Sequence, residues 1–210
     1  MLHSPYKIVE MFEEEVAHYT GAPYAVSVNS CTNALFLACK WNNVADQEVT
    51  IPKRTYLSTP QSIQQAGGIL IFDERKWEGA YQLKPFPIYD AAKRFTSGMY
   101  IPGAYMCLSF HIKKHLKIGK GGMILTDNRS AAQWFRKGRY EGRSTVPYHE
   151  DNIQINGYNA YMSPEQAARG LMLMQNYPEH NEDIPEEPFY RDLREFDLFK
   201  NVEVVVCSIP

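Results

Sequence analysis

Apolar and polar positions alternate along this chain in two distinct rhythms. Near the start, Ile8, Met11, Phe12, Val16 and Tyr19 recur at helical spacing, which predicts an amphipathic helix over residues 6–19. Beyond it, short apolar runs bounded by turn residues predict strands at 24–28, 48–51, 68–72, 87–90, 104–110 and 122–126. Between and after them lie segments of helical pattern at 32–40, 59–65, 130–139 and 163–175, the last with an alanine-rich face suited to close packing. This alternation predicts an α/β fold with a mostly parallel central sheet flanked by helices. Ligands in such sheets bind beyond the carboxyl ends of the strands, where Thr32, Tyr56, Asp90 and Ser109 fall. The turn-rich, acidic stretch 177–188 reads as a linker into a short tail with a strand-like end at 202–207. The expected layout is therefore a body over 1–176 and a linker with a C-terminal segment over 177–210.

Composition narrows the function only a little. At 210 residues and 44% hydrophobic content the chain can bury a real core. A net charge of −2 gives no general pull toward nucleic acid. Cys31, Cys39, Cys107 and Cys207 lack metal-ligand spacing and read as reduced thiols, so no metal is expected and a cytoplasmic setting is. No charged-then-apolar leader opens the chain and no apolar run approaches a membrane span, so no membrane partner is expected.

Three clusters carry candidate chemistry. The stretch from Ser109 to Gly122 joins two apolar runs through a hydroxyl, histidines, several lysines and glycines. A lysine held at a strand end can lose solvation and attack a carbonyl as a free amine, although a basic hairpin gives the same pattern. At Ile88-Tyr89-Asp90-Ala91-Ala92-Lys93 a short strand delivers an acid into small residues. Such a carboxylate can hold a pyridinium nitrogen, or simply cap a helix. At residues 26–35 a strand runs into a helix across Ser30, Cys31, Thr32 and Asn33, which is either an ordinary cap or an anion site suited to phosphate. In this order the three clusters are the parts of a pyridoxal phosphate site.

At these residues the sequence resembles the DegT/DnrJ/EryC1/StrS aminotransferases, which act mostly on nucleotide-linked keto sugars. Ser30-Cys31-Thr32-Asn33-Ala34-Leu35 resembles the family's Ser-Gly-Thr-x-Ala-Leu loop, and Ile51-Pro52-Lys53-Arg54-Thr55-Tyr56 its Pro-x-x-Thr-aromatic segment. Asp90-Ala91-Ala92-Lys93 is similar to Asp-Ala-Ala-Gln or -His, and Ser109-Phe110-His111-Ile112-Lys113-Lys114 to Ser-Phe-x-x-x-Lys. Gly119-Lys120-Gly121-Gly122 resembles Gly-Glu-Gly-Gly, and Gly157-Tyr158-Asn159-Ala160-Tyr161-Met162-Ser163 resembles Gly-Tyr-Asn-x-Arg-Met-Ser.

The resemblance implies the large domain of a fold-type I transferase, with a vestigial C-terminal segment. It implies pyridoxal 5′-phosphate held by Cys31, Thr32, Tyr56, Asp90, Lys93, Ser109 and Asn159, with Lys114 as the catalytic lysine that forms the internal aldimine. Asp90 would pair with the pyridine nitrogen, Tyr56 would stack on the ring, and Thr32 and Ser109 would bind phosphate. Lys113, adjacent on an extended segment, would face away. It further implies a homodimer in which Asn159 reaches the other subunit's cofactor, a keto sugar acceptor, and glutamate as donor. Departures stand beside the matches. The C-terminal part is short, a βα unit is absent between Tyr56 and Asp90, Lys93 replaces Gln or His, and Tyr161 replaces Arg. These keep open a cofactor-binding homologue without transaminase activity. Dehydration is a further alternative, but the family's sugar dehydratases carry His where this chain has Lys114.

Overall fold

The computed structural model describes residues 6–185 and 190–205. In chain order the main elements are α1 (Lys7–Thr20), β1 (Tyr24–Val28), α2 (Cys31–Trp41), β2 (Glu48–Pro52), α3 (Ser58–Gln65) and β3 (Ile69–Asp73). They continue as β4 (Tyr81–Leu83), β5 (Ile88–Asp90), β6 (Tyr105–Ser109), β7 (Gly122–Thr126), α4 (Arg129–Gly138), α5 (Pro164–Met174) and β8 (Val204–Val205). Helix starts follow local chemistry. Ser30 Oγ accepts from Asn33 N at the head of α2, and Asn128 Oδ1 accepts from Ala131 N at the head of α4. Ser163 and Gln166 form a reciprocal capping box ahead of α5, with Pro164 in its first turn.

The strands form a five-stranded sheet in the order β1-β7-β6-β5-β4 and a three-stranded sheet in the order β2-β3-β8. The α/β architecture is as expected, but the pairing is mixed rather than mostly parallel. The smaller sheet is parallel throughout, whereas in the larger one only β5–β6 is parallel. The cause is connection length, because parallel neighbours need a crossover of about a dozen residues or more, usually a helix. Residues 84–87 turn β4 straight back onto β5, and the loop after β6 returns to β7 with no helix to carry it across. The two sheets meet where Thr50 and Lys84 exchange backbone hydrogen bonds of 2.8 and 3.0 Å.

Strands β1, β6 and β7 are covered on both faces, which explains their near-continuous apolar runs. One face sends Val26, Val28, Cys107 and Ile124 against Leu35, Ile63 and Phe135. The other sends Ala25, Met106, Leu108, Met123 and Leu125 against Phe12, Val16, Phe110 and Met162. Helices α1 and α5 pack so closely that a Cβ on Gly170 would meet ring carbons of Phe12 at 2.6 Å.

A buried ionic node ties α1 to β1 and α4. Glu13, 3% exposed, accepts from Ser27 N at 3.0 Å and Ser27 Oγ at 2.9 Å, and pairs with Arg139. Arg136 reaches the same carboxylate at 3.3 Å from the rim, where its contribution is small. Removing the acid leaves Arg139 buried without its counter-charge. Glu13→Ala should therefore cost about 3–5 kcal/mol and lower the melting temperature by roughly 6–20 °C. A circular-dichroism melt within a degree of the wild type would show the node to be energetically neutral.

Residues after α5 pack back onto the body. Tyr19 OH donates to Pro178 O at 2.7 Å, Arg94 Nε donates to Asp183 Oδ1 at 2.9 Å, and Lys53 pairs with Asp192 at 3.1 Å. Leu193 and Phe199 enter the core, and β8 extends the sheet edge at β3. The end of the expected linker, at residues 186–188, and the last two residues of the strand-like tail, Val206 and Cys207, lie outside the described residues. Among the described residues, no helix is long and apolar enough to cross a membrane, and no acid, His and Cys cluster could hold a metal ion.

Candidate active site

Seven of the eight residues singled out in the sequence line one cavity of about 300 Å³: Cys31, Thr32, Tyr56, Asp90, Lys93, Ser109 and Lys114. They arrive from separate elements. Cys31 and Thr32 come from the first turn of α2, Asp90 from the end of β5, Ser109 from the end of β6, and Lys114 from the loop that follows. The eighth, Asn159, lies elsewhere on this chain. It is exposed, and its Nδ2 donates to Glu141 Oε1 at 3.2 Å.

Asp90 is 6% exposed and fixed by three donors. Thr59 Oγ1 and Tyr81 OH donate to Oδ2 at 2.8 and 3.0 Å, and Ala92 N donates to Oδ1 at 3.0 Å. A carboxylate has about four acceptor positions, so one remains for a ligand. Burial, and then the Asp90 charge, push the Tyr81 phenol well above its ordinary value, so it stays a neutral donor. Thr55 Oγ1 lies 2.6 Å from the same hydroxyl. Thr55 is the threonine of the Pro-x-x-Thr-aromatic segment, whereas neither Thr59 nor Tyr81 stands out in the sequence. Tyr81 sits on β4, a strand too short to announce itself, although the Tyr81/Leu83 alternation is its trace.

Basic side chains line another part of the cavity. Lys113, Lys114, Lys120 and His111 all border the cavity. Lys113 was expected to face away on an extended segment. Instead residues 111–116 turn, with Lys114 N donating to His111 O at 2.8 Å, so both lysines reach the cavity edge. Lys114 is half-buried and Lys113 exposed. Cys31 lies within electrostatic reach of both Asp90 and Lys114. Burial and Asp90 push its thiol well up, and Lys114 only partly offsets them, so the thiol is neutral. The head of α2 is pressed onto β7: a Cβ on Gly122 would meet Ser30 O at 2.6 Å and Cys31 N at 2.7 Å. The helix head, where first-turn N–H groups make a natural anion site, borders the cavity at Ser30, Cys31 and Thr32.

Lys93 forms part of a third wall. It is 2% exposed, donates to Pro185 O at 2.9 Å, and lies 5.3 Å from the Trp77 ring centre and 4.6 Å from that of Tyr190. Tyr190 itself lines the cavity, so the C-terminal segment contributes to the site. Tyr56 stands at the lip, 56% exposed. Tyr161, in the position where an Arg was expected, packs edge-on against Tyr6 and Tyr140 instead of reaching this cavity.

Comparison with known proteins decides the lineage. The family model of the DegT/DnrJ/EryC1/StrS aminotransferases matches residues 1–99 and 98–186. The chain belongs to the DegT/DnrJ/EryC1/StrS aminotransferase family. It is 29% identical to the spore coat polysaccharide biosynthesis protein SpsC of Bacillus subtilis, over 78% of this chain and 55% of that protein. It is 24% identical to the GDP-perosamine synthase of Escherichia coli O157:H7, over 80% of this chain and 57% of that protein. Among solved structures, Helicobacter pylori PseC, an aminotransferase involved in the biosynthesis of pseudoaminic acid, superposes with a TM-score of 0.69 at 17% identity, covering 82% of this chain and 58% of PseC. The chain thus spans a little over half the length of these relatives, and it has the fold of the fold-type I transferases.

The cofactor of this DegT-family chain is pyridoxal 5′-phosphate, and the donor set fits that group. A fixed carboxylate suits a pyridinium nitrogen, a helix head with hydroxyls and lysines suits a phosphate, and a half-buried amine borders the same cavity.

Proposed function

We propose that this DegT-family chain carries the catalytic centre of an aminotransferase that moves an amino group from glutamate to a nucleotide-linked keto sugar. The observation behind this reading is the convergence of Asp90, Lys114 and the head of α2 on one cavity. When bound, pyridoxal phosphate supplies an electron sink that stabilises negative charge at the substrate Cα. The chain's own residues do the rest. Asp90 keeps the ring nitrogen protonated, held in place by Thr59, Tyr81 and the Ala92 N–H. Thr32, Ser109 and the first N–H groups of α2 bind the phosphate. Lys114 holds the cofactor aldehyde between turnovers and, as a free amine, moves the proton at Cα. Tyr56 covers the ring from the lip. The sugar acceptor is supported by the similarity to SpsC, a polysaccharide biosynthesis protein, and to GDP-perosamine synthase.

A second reading, cofactor binding without sugar turnover, draws on the cavity's modest 300 Å³ and on Tyr190 and Lys93 closing one wall. Adding glutamate to the cofactor-loaded protein separates the two. Conversion of the visible spectrum to the pyridoxamine form is expected, and an unchanged spectrum would favour the binding-only reading.

The working form in this proposal is a cytoplasmic homodimer. Asn159 is exposed and outside its own cavity, which supports a role at the partner's cofactor. Cofactor occupancy should then fall on dilution together with the dimer fraction, as followed by sedimentation and absorbance. A monomer that keeps full occupancy would return Asn159 to a purely structural role.

A further inference from the structure

Residues 178–185 belong to the stretch whose composition reads as a linker, yet hydrogen bonds hold them along its length. What they hold is the pair of loops that carry the proposed chemistry. On the loop after β5, Ser97 N donates to Glu179 O at 2.9 Å, and Asn181 Nδ2 donates to Phe95 O at 3.1 Å. Both carboxylate oxygens of Asp183 accept from Arg94, and Ile184 N donates to Lys93 O at 2.9 Å. On the loop after β6, the half-buried His115 places Nε2 2.9 Å from Glu182 O. A carbonyl oxygen can only accept, so this partner assigns the proton to Nε2. Gly79 fixes the seat of the segment. Its φ is +62°, and a Cβ there would meet Asp183 Oδ2 at 2.0 Å, so the carboxylate occupies the space of a side chain.

Strand pairing does not reach these loops. The β5–β6 ladder ends where Asp90 faces Cys107, and Lys114 lies beyond it on a turn. A loop past the end of its ladder is free to open locally unless something ties it down. Three consecutive residues, Glu182, Asp183 and Ile184, tie both loops at once, one residue after Lys114 and three to four residues after Asp90.

We infer that residues 178–185 form a brace that sets where the Lys114 amine stands relative to Asp90, with His115 and Asp183 as its positioning residues. The inference rests on the roles proposed for Lys114 and Asp90. Neither positioning residue lines the cofactor cavity, so both act through the loops they hold. An amine must stand within attack distance of an aldehyde, and a misplacement of about an ångström costs about a hundred-fold in rate. Loosening the brace therefore slows formation of the covalent link while cofactor content stays the same.

Apoprotein mixed with pyridoxal phosphate, reduced with borohydride at intervals and peptide-mapped tests this, with cofactor content measured on unreduced samples. His115→Leu should slow labelling of Lys114 roughly three- to ten-fold and bind as much cofactor as the wild type. His115→Gln, whose amide can donate from nearly the position of Nε2, should recover most of the rate. Asp183→Asn should slow labelling by a similar factor. The double variant should be no more than about two-fold slower than the slower single variant, because adjacent residues share one tether. Labelling at the wild-type rate in His115→Leu, equal slowing by Leu and Gln, or multiplied effects in the double variant would overturn the inference and leave the role of Lys114 intact. No label on Lys114 in the wild type would overturn both. Should His115→Leu fail to fold, Asp183→Asn carries the same expectation, and labelling at the wild-type rate the same refutation.

Discussion

Lys114→Ala is expected to abolish the covalent link to the cofactor and to lower transamination by at least about a thousand-fold. The expectation rests on placement. Lys114 is half-buried at the cavity and close enough to influence the Cys31 thiol, with an effect opposite in sign to that of Asp90. Three other lysines border the same space. Lys113 and Lys120 are exposed, and Lys93 is committed to Pro185 O and the rings of Trp77 and Tyr190. Borohydride reduction of the loaded protein followed by peptide mapping should find the label on Lys114. Label on Lys93 would sink the assignment. It would mean that the C-terminal segment releases that ammonium when the cofactor enters.

Asp90→Asn should slow turnover by about a hundred- to a thousand-fold while reducing cofactor content far less. The amide matches the carboxylate in shape, so the three donors around it keep most of their geometry. It lacks the charge that keeps a pyridine nitrogen protonated. It also turns one face of the group into a donor, which then opposes Thr59 and Tyr81 or Ala92 N. Turnover and absorbance measured on the same preparation separate the two effects. A variant with full activity would remove Asp90 from the ring nitrogen. Tyr81→Phe, which deletes only one of three donors, should cost no more than about ten-fold.

Much of this site is legible in the amino-acid sequence. Strand ends and helix heads are marked by local chemistry, so the residue pattern puts Thr32, Asp90 and Ser109 on one side of a sheet, and a single cavity holds them there. What the pattern does not carry is direction and distance. Whether a strand runs parallel depends on how the chain returns, and the 84–87 turn and the helix-free loop after β6 resemble ordinary punctuation in sequence. Strand β4 is too brief to show a period, which hides Tyr81 and the network around Asp90. The expectation for Lys113 fails because it requires an extended backbone where the chain turns. The wall made by Tyr190 comes from a segment far along the chain whose composition suggests only a linker and a short tail.

One feature of the larger sheet bears on how the molecule is made. Among the described residues strand β1 has a single pairing partner, β7, which follows more than ninety residues later. During synthesis at about 5–20 residues per second, Tyr24–Val28 leaves the ribosome roughly 5–20 s before the strand that will receive it. Until then the edge that β7 will pair is open, and the strand's apolar residues have only α1 and the helices that follow it for cover. In that interval α1, already emerged, can cover the strand, and the Glu13–Ser27 contact is a native link that can already form. The window of greatest aggregation risk therefore closes only when Gly122–Thr126 arrives.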